Sequence, residues 1–159
     1  MAQAQAAVQN TLRTDFSLLI DGELTGAAER LDVINPATGK AFAQCPSASR
    51  ADLDRAVAAA RRAQPAWSAL SFAERTEFIK RMAGILRANQ DMLGELLTRE
   101  QGKPLGQAKD EIGRAASQSE GMTRISIASD LITDDAERRI EVRYVPLGVA
   151  GSSPPGTRP

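Results

Sequence analysis

Apolar residues along this chain change their spacing twice. Phe16, Leu18 and Ile20 alternate with other residues up to Asp21-Gly22, a pair suited to the positive φ angles of a tight hairpin turn. A second hairpin is predicted around Asn35-Pro36-Ala37-Thr38-Gly39-Lys40: Val33 and Ile34 lead in, and Ala41 to Cys45 resume an extended pattern. The spacing then turns helical. Ser49 with Asp52, and Ser71 with Glu74, are capping pairs in which side chains satisfy the first free amides. They predict a helix from Ala51 to Gln64, closed by Pro65, and a second through Phe72, Ile79, Met82, Ala83 and Leu86. Met92, Leu93, Leu96 and Leu97 mark a third helix ending at Gly102. A fourth begins at Pro104 with a stripe of Leu105, Ala108, Ile112, Ala115, Ser119, Met122 and Ser126. After the polar loop Thr133 to Glu137, alternation returns in Arg138 to Val145, with Ile140, Val142 and Tyr144 on one face and Arg139, Glu141 and Arg143 on the other. This strand has no evident partner in the sequence, so it is expected to pair with the early hairpins or with another polypeptide.

Composition thins the core these elements share. Of the 42% hydrophobic residues in 159, 27 are alanine, and Leu, Ile, Val and Phe together number 33. Twenty basic and twenty acidic residues cancel, which gives no reason to expect nucleic acid or anionic lipid as partner. No apolar run approaches the roughly 20 residues that cross a bilayer. The Ala- and Gln-rich residues 1–15 lack the basic start and apolar centre of a secretory signal and are expected to form a disordered tail. One cysteine allows no internal disulfide, so a cytoplasmic location is expected. The absence of histidine removes Ser-His-Asp and Cys-His mechanisms and most zinc sites from this chain.

Each candidate for local chemistry also has a plainer reading. Cys45 stands between Gln44 and Pro46 with no base or cation beside it, as a structural thiol would. Gly102-Lys103-Pro104 resembles a phosphate loop only in its glycine and lysine; proline replaces the Ser or Thr, and a helix stop and restart explains it. Gly148, Gly151 and Gly156 miss the dinucleotide spacing, and Pro154, Pro155 and Pro159 oppose the helix that would hold a pyrophosphate. Asp130, Asp134 and Asp135 lack the spacing of a calcium loop. Glu100 and Glu111 lie on successive helices with nothing in sequence to place them face to face as an acid/base pair.

Taken in order, the same stretches resemble the N-terminal part of the aldehyde dehydrogenase superfamily. The resemblance covers about Phe16 to Ala150 and rests on LLIDGEL, INPATGK, DLDRAVAAARRAQPAWSALSFAERTEFIKRMAGIL, ELLTREQGKPLGQAKDEI and RYVPLGVAG together. It implies an α+β fragment of an α/β fold: two N-terminal hairpins, about four helices and one C-terminal amphipathic strand of oligomerisation type at 139–145, with an incomplete Rossmann-like domain. Family members oxidise an aldehyde with NAD or NADP. A cysteine thiolate attacks, hydride leaves for the nicotinamide, and a glutamate assists hydrolysis of the thioester while an asparagine amide helps hold the oxyanion. The resemblance places the cysteine, the glutamate and the cofactor-contacting groups beyond Pro159 and the asparagine in a motif absent from this chain, so it assigns no catalytic, cofactor-binding or metal residue here. The implied fragment is inactive alone and binds NAD or NADP poorly, whereas the complete enzyme is a homodimer or homotetramer. The alternative is a non-catalytic helical interaction module that pairs with a full-length relative.

The family's oxyanion-holding asparagine belongs to a Pro-Trp-Asn motif soon after PLGV. Here PLGVAG is followed by Ser152-Ser153-Pro154-Pro155-Gly156-Thr157 instead. Suppose Ile-Ile-Thr-Pro-Trp-Asn were encoded ATC ATC ACC CCC TGG AAC, followed by C. Loss of the first A then gives Ser-Ser-Pro-Pro-Gly-Thr, so residues 152–159 read as a frameshifted tail. Resequencing the gene across this junction is expected to reveal Pro-Trp-Asn in a neighbouring frame; if no frame encodes it, the hypothesis fails.

Overall fold

A computed structural model describes residues 15–125 and 128–152. Of the tail expected at residues 1–15, residues 1–14 lie outside them, as do the stripe position Ser126 and residues 153–159 of the frameshifted tail expected at 152–159. Strands β1 (Leu18–Ile20) and β2 (Glu23–Thr25) form the first antiparallel hairpin, with Asp21 at φ 57° and Gly22 at φ 82° in the turn. Strands β3 (Glu29–Asn35) and β4 (Lys40–Ser47) form the second, bulged between Val33 and Ile34. In its turn Ala37 N–H donates to Asn35 Oδ1 at 2.9 Å, and Gly39 adopts φ 66°. Asp15 makes a parallel bridge with Gln44, and the Arg30 guanidinium donates to the carbonyls of Phe16 and Gln44, holding the approach to β1 against β4.

Four helices follow: α1 (Arg50–Ala69), α2 (Phe72–Ala88), α3 (Gln90–Gln101) and α4 (Leu105–Met122). Both expected capping boxes form, at Ser49/Asp52 and at Ser71/Glu74. Pro65 does not close α1 as expected; the helix runs through it to Ala69. Proline removes the bond that the Arg61 carbonyl would accept. The helix nevertheless continues: the Ser68 hydroxyl donates to the Gln64 carbonyl at 2.7 Å, and Trp67 meets Phe78 of α2 edge to face at 5.4 Å.

The C-terminal strand also differs from expectation. It does have a partner: β5 (Asp130–Asp134) pairs antiparallel with β6 (Arg139–Val142), and Asp134 to Arg139 form the ends of a hairpin. The polar stretch at 133–137 thus contributes both strand and turn, because the carboxylate of Asp135 organises the reversal by accepting from the amides of Glu137 and Arg138. Its faces are reversed too. Ile140 and Val142 are exposed, while Glu141 is the more sheltered residue, gripped by Arg143 at 2.8 Å. The described residues therefore hold four helices and three two-stranded antiparallel sheets.

The core sits where α4 lies between α2 and α3, and its buried apolar residues are all alanines. Ala83 of α2 and Ala108 and Ala116 of α4 are fully buried. The expected α4 stripe is corrected accordingly: Leu105, Ala115 and Met122 face outward and Ala116 inward, since two flanking helices select a face stepped by four residues. The α3 crossing is closer still. A Cβ added to Gly94 would lie 2.6 Å from Lys109 Cγ and 3.1 Å from its backbone nitrogen. Ion pairs trim the edges: Arg87 grips Glu120 across α2 and α4 at 2.6 Å, and Lys109 reaches Asp91 of α3 at 2.8 Å.

Gly94→Ala is expected to destabilise the chain by about 1–3 kcal/mol, because the added methyl meets the α4 backbone at Lys109 as well as the Lys109 side chain, and the backbone cannot swing away. Gly84→Ala, with nothing within 4 Å of the new methyl, is expected to stabilise by roughly 0.5–1 kcal/mol. Urea unfolding followed by helical circular dichroism checks both signs.

The Ser49 hydroxyl, then the Arg55 guanidinium and the Ser49 amide, hold the Asp52 carboxyl at about 2, below its ordinary 3.8. A carboxyl lowered on folding contributes stability fully above its unfolded value and loses it as pH falls through the folded one. The α1 cap is therefore intact above about pH 4 and lost towards pH 2. Amide shifts of Asp52 in a pH titration should show this transition in the native chain, and Ser49→Ala should move it up towards the ordinary carboxylate range.

Candidate functional site

The structure gives several of the candidates from the sequence a structural task. Cys45 is half-buried in β4 opposite Leu31, and among the described residues no side chain hydrogen-bonds its thiol. The Lys103 ammonium is spent on Glu111. That contact holds the Glu111 carboxyl below its usual range, keeping it ionised and unsuited to donate a proton. Glu100 is exposed near the end of α3, while Glu111 is already paired with Lys103. Asp130 opens β5 opposite Val142, Asp134 binds Arg139 at 3.0 Å and Asp135 caps the hairpin turn. Among the described residues no group of three or more acidic or cysteine side chains could hold a metal ion. Gly148, at φ 101°, and Gly151 lie in an exposed segment, and Gly156 lies outside the described residues.

The described residues do not fit a dinucleotide. A pyrophosphate needs free amides at a helix N-terminus behind a glycine turn. The first amides of α1 and α2 are taken by their own capping boxes, and α3 follows α2 through Asn89 without a glycine. Only α4 has a glycine nearby, and there Pro104 lacks an N–H while Lys103 is engaged.

The tertiary structure instead joins two motifs far apart in sequence. Gly102 ends α3 in the left-handed region, at φ 73°, with its amide donating to the Thr98 carbonyl at 2.9 Å. A Cβ there would stand 2.9 Å from Cγ of Pro36, in the turn of the second hairpin. INPATGK and EQGKP therefore meet, and the glycine permits the approach. Helix-stop chemistry was legible at Gly102; its contact with Pro36 was not.

Open depressions among the described residues include two beside this scaffold. One, of about 430 Å³, has Ala56, Ala59, Ala60 and Ala63 of α1 as its floor and Leu19 and Ile20 as its wall. Asp21, paired to Arg62 at 2.8 Å, draws the hairpin turn against α1 beside it. The other, of about 490 Å³, is bordered by Lys80, Glu120, Thr123 and Arg124. Two of its charges are already matched, Glu120 by Arg87 and Lys80 by Glu77 at 2.7 Å. Neither brings together a nucleophile and a base.

The likeness to known proteins is extensive. Residues 24–155 match the aldehyde dehydrogenase family. The glutarate-semialdehyde dehydrogenase of Pseudomonas putida is 38% identical over 145 residues, 88% of this chain and 30% of that protein. The NADP(+) succinate-semialdehyde dehydrogenase of Escherichia coli is 38% identical over 146 residues, 89% of this chain and 30% of that protein. The crystal structure of an NADP-dependent enzyme of Escherichia coli superposes with TM-score 0.74 at 37% identity, over 82% of this chain and 28% of that one. The chain thus spans about 30% of the length of the curated relatives it matches. With the family match extending from the first hairpin past the last, and these helices and hairpins superposing on a relative's, the chain belongs to the aldehyde dehydrogenase family.

Proposed function

We propose that this chain supplies the N-terminal scaffold of a cytoplasmic enzyme that oxidises an aldehyde to a carboxylic acid with NAD+ or NADP+. The observation that carries this reading is the family match over residues 24–155, joined to a span of only 30% of the relatives' length. The relatives named above act on glutarate and succinate semialdehydes, and another, in Pseudomonas putida, on 3-sulfolactaldehyde. All three are aldehydes with an acidic group at a distance, and that is the proposed substrate class.

In this reading the chain's own residues make and break no bond. The thiolate, the hydrolytic glutamate and the dinucleotide site belong to polypeptide beyond the matched stretch. A nicotinamide, when bound there, accepts the hydride. The residues described here set the frame: the Gly102–Pro36 contact fixes the second hairpin on α3, and the alanine crossings fix α2 and α3 on α4. The β5–β6 hairpin, with Ile140 and Val142 exposed, is proposed to join subunits of a homodimer or homotetramer.

Purified residues 1–159 are expected to form no NADH or NADPH from glutarate semialdehyde, whereas the enzyme translated in the Pro-Trp-Asn frame should do so. The latter should favour glutarate semialdehyde over pentanal by about tenfold or more in kcat/KM, the effect of one charge-assisted hydrogen bond to the distal carboxylate. Aldehyde-dependent turnover by residues 1–159 that is abolished by Cys45→Ser would overturn the scaffold reading.

A further inference from the structure

We propose that residues 143–149, directly after β6, form a docking motif for a chaperone of the class that closes an ATP-gated apolar channel around a short extended stretch of chain. The proposal does not depend on the enzymatic reading above. The β5–β6 ladder ends where Asp130 meets Val142, and residues 143–152 belong to no helix or strand. All of them are exposed, Tyr144 by 65%, Val145 by 79% and Leu147 by 94%. In an extended chain successive side chains point to opposite sides, so Val145, Leu147 and Val149 line one side and Tyr144 and Pro146 the other. Strand β6, by contrast, alternates apolar with charged residues. A flat surface or a sheet face covers one side of such a segment; a channel encloses both. An apolar stretch this open marks a place where a partner binds.

Backbone chemistry and charge narrow the partner. Pro146 has no N–H to give to a ladder, which disfavours a place within a sheet, and its ring holds Val145 away from the helical region. Gly148, at φ 101°, can return to a negative φ without steric cost, so the segment can straighten. Straightened, residues 143–149 span about 23 Å. No acidic residue occurs from Val142 to Ser152, and the cation of Arg143 stands at one flank. Its guanidinium touches Glu141 at 2.8 Å, yet the side chain keeps 70% of its surface exposed. An apolar channel with an acidic mouth fits this pattern. A second copy of the segment does not: it repeats the missing donor at Pro146 and brings no acid of its own to Arg143.

The test titrates residues 1–159, labelled with a fluorophore at the N-terminal amine, with a purified bacterial heat-shock chaperone of this class in ADP, and reads anisotropy. Saturable binding is expected, with release on adding ATP, which opens such a clamp. Val145→Asp with Leu147→Asp should weaken binding by about tenfold or more, because two apolar side chains lose their burial. Arg143→Glu should weaken it by about threefold, the scale of one exposed ion pair. Leu131→Asp with Ile132→Asp, which changes two exposed apolar residues of β5, should leave it unchanged. Affinity unaltered by the change at 145 and 147 overturns the proposal. So does an equal loss from the β5 pair, which identifies general attraction to exposed apolar surface.

Two further measurements do not depend on how the variants fold. A synthetic peptide of residues 142–151 should displace the labelled chain from the chaperone, and failure to compete counts against the motif. Chymotrypsin cleavage after Tyr144 should slow by about tenfold or more with chaperone and ADP, and recover with ATP, because an enclosed bond is cut only when its contact opens. Cleavage unaffected by the chaperone overturns the proposal. Sedimentation of residues 1–159 alone covers the remaining occupant: a mass that rises with concentration, and returns to the monomer value in Val145→Asp with Leu147→Asp, identifies a second copy and also overturns it.

Discussion

Helix α4 can lie between α2 and α3 because its crossings carry almost no side chain. Ala83, Ala108 and Ala116 are fully buried, and Gly94 lets the backbone of Lys109 approach to a distance that a methyl group would contest. The Gln90 amide uses that proximity to donate to the Lys109 carbonyl at 2.9 Å. Packing at this range gains dispersion over many atom pairs while burying little apolar area per residue. The three helices are thus placed by closeness rather than by bulk.

The rest of the architecture follows from that constraint. With alanine and glycine at the closest crossings, many of the larger apolar residues lie on outer faces, among them Phe78 and Ile85 on α2, Leu131 and Ile132 on β5, and Tyr144 and Leu147 after β6. Ion pairs such as Arg62–Asp21 and Arg87–Glu120 orient the elements, but both members are substantially exposed, and such pairs contribute only modestly in water. A scaffold held in this way is suited to being covered on several sides, in keeping with its span of less than a third of its relatives.

The same economy extends to the polar groups. Several polar groups are committed to holding an element in place: Lys103 to Glu111 at the start of α4, Asp135 to the amides of the β5–β6 turn, Asp52 and Glu74 to the first amides of their helices. Motifs that suggested a phosphate loop or a cation site are helix caps and turns, and their glycines serve approach and reversal. What they build is a junction, most clearly where Gly102 meets Pro36.

Local physics was legible in the sequence. Ser49 with Asp52 and Ser71 with Glu74 located two helix starts, Asp21-Gly22 a hairpin turn and Gly102 a helix end, because caps and turns are settled by residues within a few positions of one another. The ordered series of motifs was enough to indicate the family. Tertiary structure decided the rest. Pro65 could remain within α1 because the Ser68 hydroxyl and the Trp67–Phe78 contact support the helix beyond it, β6 found its partner in the polar stretch just before it, and α4 turned Ala116 inward in place of Ala115 because two helices flank it. Periodicity states that a helix has a face; only the neighbours packed against it determine which face that is.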